Sequence, residues 1–169
     1  MQRFIVLLLL FAIGCTSSEF VPNVELEARL AKIEDYRAIK RIVDDFSNLA
    51  DTKDIDRQVL LFTEDAVVES FSNGERSSRL EGRQQIGEVF AGFLANFRTV
   101  YHQNGQQTID LKGDTATAIS YCTVLLIGED SKTTLYAIYN DRFVKQNGQW
   151  LIQHRRTDFV HRDSVPLEG

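Results

Sequence analysis

From Val24 onward, apolar residues recur every three or four positions through Leu26, Leu30, Ile33, Tyr36, Ile39, Val43, Phe46, Leu49 and Ala50. That period predicts a long amphipathic helix with the whole stripe buried. Asn23 is placed to cap its start, and Glu25 and Glu27 suit the positive end of its dipole. After Asp51-Thr52-Lys53-Asp54, residues Ile55 to Phe62 read as a short second helix. Ala66 to Phe71, rich in β-branched and aromatic residues, reads as a strand. Ser72 to Ser78 carries the turn signal Asn73-Gly74 and is expected as a polar, flexible rim loop. Helical spacing returns over Arg83 to Phe97. Four long β-type runs follow, Thr99 to Leu111, Thr115 to Ile127, Lys132 to Val144 and Trp150 to His161, with breaks short enough for hairpins.

This order, without internal repeat or low-complexity tract, predicts one α+β unit. A strongly curved, mostly antiparallel sheet would wrap around the long N-terminal helix, with two further helices, and leave a cavity between them. Polar residues at inward positions would line that cavity.

The first fifteen residues follow another pattern. Arg3 precedes the unbroken apolar run Phe4 to Ile13, and Gly14-Cys15 follows. Ten apolar residues span only about 15 Å as a helix, roughly half a bilayer core, which favours a cleaved export signal over a permanent span. Ala12-Ile13-Gly14-Cys15 is similar to a bacterial lipobox, with Cys15 the residue that would carry the lipid. A plain secretory cleavage site is the alternative. The expected organisation is a signal peptide over 1–14, a lipidated tether over 15–24, the folded domain over 25–163 and a tail over 164–169. Such a protein would be exported and held in the cell envelope, outer membrane or periplasm, touching membrane through the lipid alone.

The chain has 169 residues, 43% hydrophobic and 25% charged, enough for one core. Its net charge is -5, and loss of Arg3 makes it -6, which argues against nucleic acid as a partner. With Cys15 lipidated, Cys122 is left without a disulfide partner, and its setting in Thr117 to Ile127 suits a small buried hydrophobe better than a nucleophile. His102, His154 and His161 lack metal-ligand spacing, and no phosphate loop, serine elbow or redox CxxC is present.

Several strings together resemble the SnoaL-like family of the NTF2-like superfamily, from about Leu26 to His161. They are Phe46-Ser47-Asn48-Leu49-Ala50-Asp51, Leu61-Phe62-Thr63-Glu64-Asp65-Ala66-Val67, Glu81-Gly82-Arg83, Gly113-Asp114-Thr115-Ala116, Tyr139-Asn140-Asp141 and Gly148 to Arg156. The resemblance implies an NTF2-like cone with a pocket, a homodimer or homotrimer, and chemistry without metal or organic cofactor. It does not imply one reaction.

In the scytalone dehydratase and hexachlorocyclohexane dehydrochlorinase branch, an aspartate at the end of the first helix pairs with a histidine on the first long strand after the third helix. Asp51 and His102 stand at those positions and are the expected catalytic pair: a neutral imidazole takes a proton from carbon while the carboxylate orients the ring. Asp51 could equally begin a surface turn, and His102 could be a hydrogen-bonded residue of a polar sheet face. Tyr121 and Arg156 are the expected substrate-binding residues, with Tyr136 and Tyr139 as further candidate phenols; Arg156 shares a face with Trp150, Ile152, His154 and Asp158, Arg155 lies on the other face, and whichever arginine points inward could instead form an ion pair with Asp141. Phe46 stands where many relatives carry tyrosine, a departure from a close dehydratase pattern. Three functions follow: a lyase or isomerase acting on a small apolar molecule, a noncatalytic binding or interaction module, or an envelope protein whose cone is filled by aromatics.

Overall fold

The computed structural model describes residues 23–167. The expected signal segment and the lipidation candidate Cys15 lie outside that range. Helix α1 (Val24–Asp51) begins where Asn23 Oδ1 accepts the Leu26 backbone N–H at 3.1 Å. A short helix α2 (Ile55–Gln58) runs into a 3-10 turn (Val59–Leu61). Then come β1 (Phe62–Ser72), β2 (Glu75–Glu81), α3 (Arg83–Leu94), β3 (Thr99–Lys112), β4 (Thr115–Ile127), β5 (Ser131–Gln146) and β6 (Gln149–Pro166).

The strands form one curved six-stranded sheet in the order β2-β1-β6-β5-β4-β3, antiparallel at every pairing except β1 with β6. The architecture is the expected α+β cone of the NTF2-like type. The segment expected as a polar loop differs. Ser72 and Glu75 close a tight hairpin, with Asn73 and Gly74 both at positive φ, and Ser77 and Ser78 belong to edge strand β2. Its polar residues reflect the edge position, where one strand side faces water, not conformational freedom. Strand β6 likewise continues to Pro166, paired with Ser131, through residues expected in the tail.

The buried stripe of α1 is shorter than its periodicity suggests. Val24, Leu26, Leu30 and Ile33 are exposed, and burial starts at Ile39, continuing through Ile42, Val43, Phe46, Ser47 and Ala50. The first turns extend past the sheet, so no strand lies opposite them. At the junction, Asp35 accepts from Lys145 Nζ at 2.7 Å and Trp150 Nε1 at 2.8 Å, tying α1 to β5 and β6. These two donors outweigh desolvation and hold the Asp35 carboxyl below its usual range.

Candidate active site

The concave sheet face, the C-terminal half of α1 and α3 enclose a cavity of about 260 Å³. An apolar cavity of about 150 Å³ accommodates benzene, so this volume is large enough for a bicyclic molecule. The cone is therefore not filled by its phenylalanines. Phe46 packs edge-on against Phe62, Phe90 and Tyr139 with centroid separations of 5.9 to 6.0 Å, forming one side of the wall. Val68, Leu80, Val124 and Leu126 supply more hydrocarbon. A second, half-polar hollow of about 560 Å³ shares Phe93, Leu126, Leu135 and Phe159 with the first and reaches Ser72, Asn73 and Ser77 of the β1–β2 hairpin. This hairpin is thus the rim of the entrance.

Asp51 is the last residue of α1 and His102 lies on β3, whose inward residues Val100, His102 and Asn104 face that helix. Asn104 fixes the approach of the two elements: its Oδ1 accepts from Ser47 Oγ at 3.0 Å and its Nδ2 donates to Val43 O at 3.3 Å. Asp51 Oδ1 then meets His102 Nδ1 at 2.6 Å, while Oδ2 accepts the His102 backbone N–H at 3.2 Å. A carboxylate only accepts, so Nδ1 carries a proton, and in the neutral ring that leaves the lone pair on Nε2. His102 lines the cavity, with Asp51 behind it, and Nε2 has no hydrogen-bond partner among the described residues.

The arginine question is decided by a bulge. Phe143 pairs with Ile152, but Arg142 pairs with His154, leaving Gln153 as an extra residue in β6. One inserted residue reverses the alternation, so Arg155 follows Trp150 and Ile152 inward, while His154, Arg156 and Asp158 turn outward. Arg155 is 1% exposed and lines the cavity. Its Nε and Nη2 donate to the two oxygens of Asp141 at 2.8 and 2.7 Å, and its guanidinium lies between the rings of Phe46 and Tyr139, 4.1 and 4.3 Å from their centroids. Burial works against this charge, and the Asp141 carboxylate more than restores it, holding the Arg155 pKa above its ordinary value.

The two expected substrate-binding residues lie elsewhere. Arg156 donates to Asp158 at 2.7 Å and covers Phe71 on the outer face, a consequence of the same bulge. Tyr121 is an exposed residue of β4 on that outer face, because Ser120 and Cys122 take the inward positions. Neither lines the cavity. Of the three candidate phenols it is Tyr139 that does, and sequence reasoning missed Gln58 and Thr157, which line it too. Gln58 is fully buried although its neighbours Asp56 and Arg57 are surface residues. Its Nε2 donates to Phe46 O at 2.9 Å. Only a polar residue preceding the apolar run Val59 to Phe62 hinted at it. Cys122 is buried as expected, and burial pushes its thiol pKa up. Among the described residues no three His, Cys, Asp or Glu side chains gather as a metal-ligand set.

A model of the SnoaL-like domain matches residues 31–156. Among solved structures, a provisionally named aromatic ring hydroxylase from Novosphingobium aromaticivorans superimposes with a TM-score of 0.71 at 26% identity, covering 80% of this chain and 94% of its own. A provisionally named scytalone dehydratase from the same organism gives 0.70 at 25%, covering 82% and 92%. A hexachlorocyclohexane dehydrochlorinase from Novosphingobium barchaimii gives 0.70 at 15%, covering 83% and 95%. No curated protein matches the chain.

Proposed function

This chain belongs to the SnoaL-like domain family, and from that premise we propose that it is a cofactor-free lyase or isomerase acting on a small, mostly apolar molecule. His102 is the general base and Asp51 its positioning partner. One observation carries this reading: the 2.6 Å contact at Nδ1 leaves the opposite ring nitrogen as a base beside a hydrocarbon-walled cavity.

In the reaction, Nε2 takes a proton from a substrate carbon. The C–H electron pair either expels a leaving group from the adjacent carbon, forming a double bond, or is reprotonated at another carbon. The imidazolium formed sits against Asp51, which stabilises it, and returns its proton to the departing group or to the new carbon. Two structural relatives carry names that denote eliminations, which supports the lyase branch.

The rest of the proposal rests on other observations. The sequence of residues 1–15 supports export and anchoring in the cell envelope. Tyr101, Ile119, Tyr121 and Tyr136, exposed on the outer sheet face, support self-association.

The test uses 2-indanone, a neutral bicyclic ketone, as a probe of proton abstraction that needs no leaving group. The full-length protein in D2O accelerates exchange of its α-protons above buffer, read by NMR. His102→Ala abolishes the acceleration while the thermal midpoint stays within a few degrees. Equal exchange by both proteins would overturn the reading.

A further inference from the structure

A base beside a cavity does not decide which molecules the cavity holds. Its walls are mostly hydrocarbon, so the few polar atoms left unsatisfied among them set the chemistry of the occupant. Five buried side-chain atoms have no hydrogen-bond partner among the described residues: Gln58 Oε1, Thr63 Oγ1, Arg83 Nε, Gln107 Oε1 and Arg155 Nη1. Of these residues, Gln58 and Arg155 line the cavity, and each is 1% exposed. A buried polar group without a partner costs free energy, and two in the wall of one hollow point to a ligand that pairs with them.

What each side chain already does fixes the character of its free atom. Phe46 O only accepts, so the Gln58 atom bonded to it at 2.9 Å is the amide nitrogen, and the unpaired atom is the carbonyl oxygen, an acceptor. A guanidinium carries five N–H groups. Asp141 takes one from Nε and one from Nη2, both on one edge of the Arg155 fork, and Nη1 leaves from the opposite edge as an unpaired, charged donor. The plane cannot turn to relieve it, because it lies between the rings of Phe46 and Tyr139. Phe46 joins the two groups on one part of the wall: its carbonyl holds the Gln58 amide, and its ring centroid lies 4.1 Å from the Arg155 guanidinium carbon.

We infer that Gln58 Oε1 and Arg155 Nη1 form a specificity subsite for a hydroxyl group, and that the ligands of this cavity are neutral molecules of about bicyclic size carrying one. A hydroxyl is the smallest group that both gives and accepts: its proton goes to Gln58 Oε1, and its oxygen accepts from Nη1. A halogen or an ether oxygen meets Nη1 alone and leaves the Gln58 carbonyl unsatisfied. A carboxylate is worse placed, because the Gln58 oxygen faces its negative charge and Asp141 already neutralises Arg155. Gln58 is therefore the residue that discriminates, since it is the one that requires a proton from the ligand. The inference rests on this cavity being the substrate site, as proposed above, and not on His102 being the base.

Two probes of one size test this on the full-length protein by calorimetry: 2-naphthol, which has a proton to give, and 2-fluoronaphthalene, which has none. The wild type is expected to bind the naphthol at least about tenfold more tightly, although the fluoroarene is the more hydrophobic, because the hydroxyl satisfies both buried groups. The anion 2-naphthoate is expected to bind at least about tenfold more weakly than the naphthol. Gln58→Met removes the acceptor and keeps the volume, and Phe46 lies within α1, where its carbonyl retains a helical partner. In this variant the preference for the naphthol is expected to shrink to within about threefold, through weaker naphthol binding. A wild type that binds the two probes equally overturns the subsite without any variant, and so does a full preference in folded Gln58→Met. Binding of 2-naphthoate as tight as that of the naphthol overturns the restriction to neutral ligands. Exchange of 2-indanone reads the base separately: where the wild type exchanges it without preferring the naphthol, the subsite fails alone, and where it neither exchanges the ketone nor binds either naphthalene, both readings fail.

Discussion

Asp141 and Arg155 stand directly opposite each other on β5 and β6 and form a two-pronged ion pair that is almost wholly buried, at the wall of the cavity. Burying two charges is costly, and mutual attraction offsets the cost only while both partners are present.

The pair therefore behaves asymmetrically on mutation. Asp141→Ala leaves a buried cation unpaired and is expected to destabilise the protein by about 3–5 kcal/mol in urea unfolding. The double variant Asp141→Leu, Arg155→Met is expected to recover most of that loss. A double variant as unstable as the single one shows that the pair itself stabilises the fold.

Asp51→Asn separates orientation from charge. The amide Nδ2–H donates to Nδ1, which moves the ring proton to Nε2 and turns the proposed base into a donor. The exchange of 2-indanone is expected to fall roughly 10²- to 10⁴-fold with little change in thermal midpoint. Unchanged exchange would remove Asp51 from the mechanism.

A second histidine and carboxylate meet on the outer face, and here the expected effect is on stability. His154, Arg76 and Arg79 surround Glu69, hold its carboxyl down at about 2 and outweigh its desolvation. Because the folded value is depressed from 4.5, the stabilisation is fully present above pH 4.5 and is lost as pH falls towards 2. Glu69→Gln should be less stable than wild type at pH 7, on the order of 1–2 kcal/mol after allowance for the exposed arginines. The two urea midpoints should converge between pH 4.5 and 2. A constant gap across that range contradicts the assignment.

The end of the core within α1 is open to a paired measurement. Ile39 is completely buried, so Ile39→Ala is expected to cost about 2–5 kcal/mol. Leu30 is 53% exposed, and Leu30→Ser should change stability by no more than about 0.5 kcal/mol. A large loss at Leu30 would show that a partner covers these turns in solution.

The periodicity of α1 predicted a helix correctly and its buried length incorrectly, because period reports which residues share a face and not whether another element lies opposite. Tight-turn chemistry was legible: Asn73-Gly74 and Asn147-Gly148 both adopt the positive φ their residue types favour. The edge strand after the first of these turns was not, since Glu75 to Ser78 carry no apolar alternation. Asp51 and His102 entered through a family resemblance. Nothing in their own neighbourhoods distinguished a buried contact from a surface turn and a polar strand.

By itself, the sequence determined the order of the three helices and of five of the six strands, the tight turns and the single core, because these follow from local conformational preference and from the period at which apolar residues repeat. The tertiary structure decided which polar groups face inward. Strand alternation carries that information only until a bulge resets it, and Gln153 is such a reset: it exchanges Arg156 for Arg155 at the cavity wall. Tyr139 was chosen over Tyr121 in the same way, by the side of the sheet on which the helices pack.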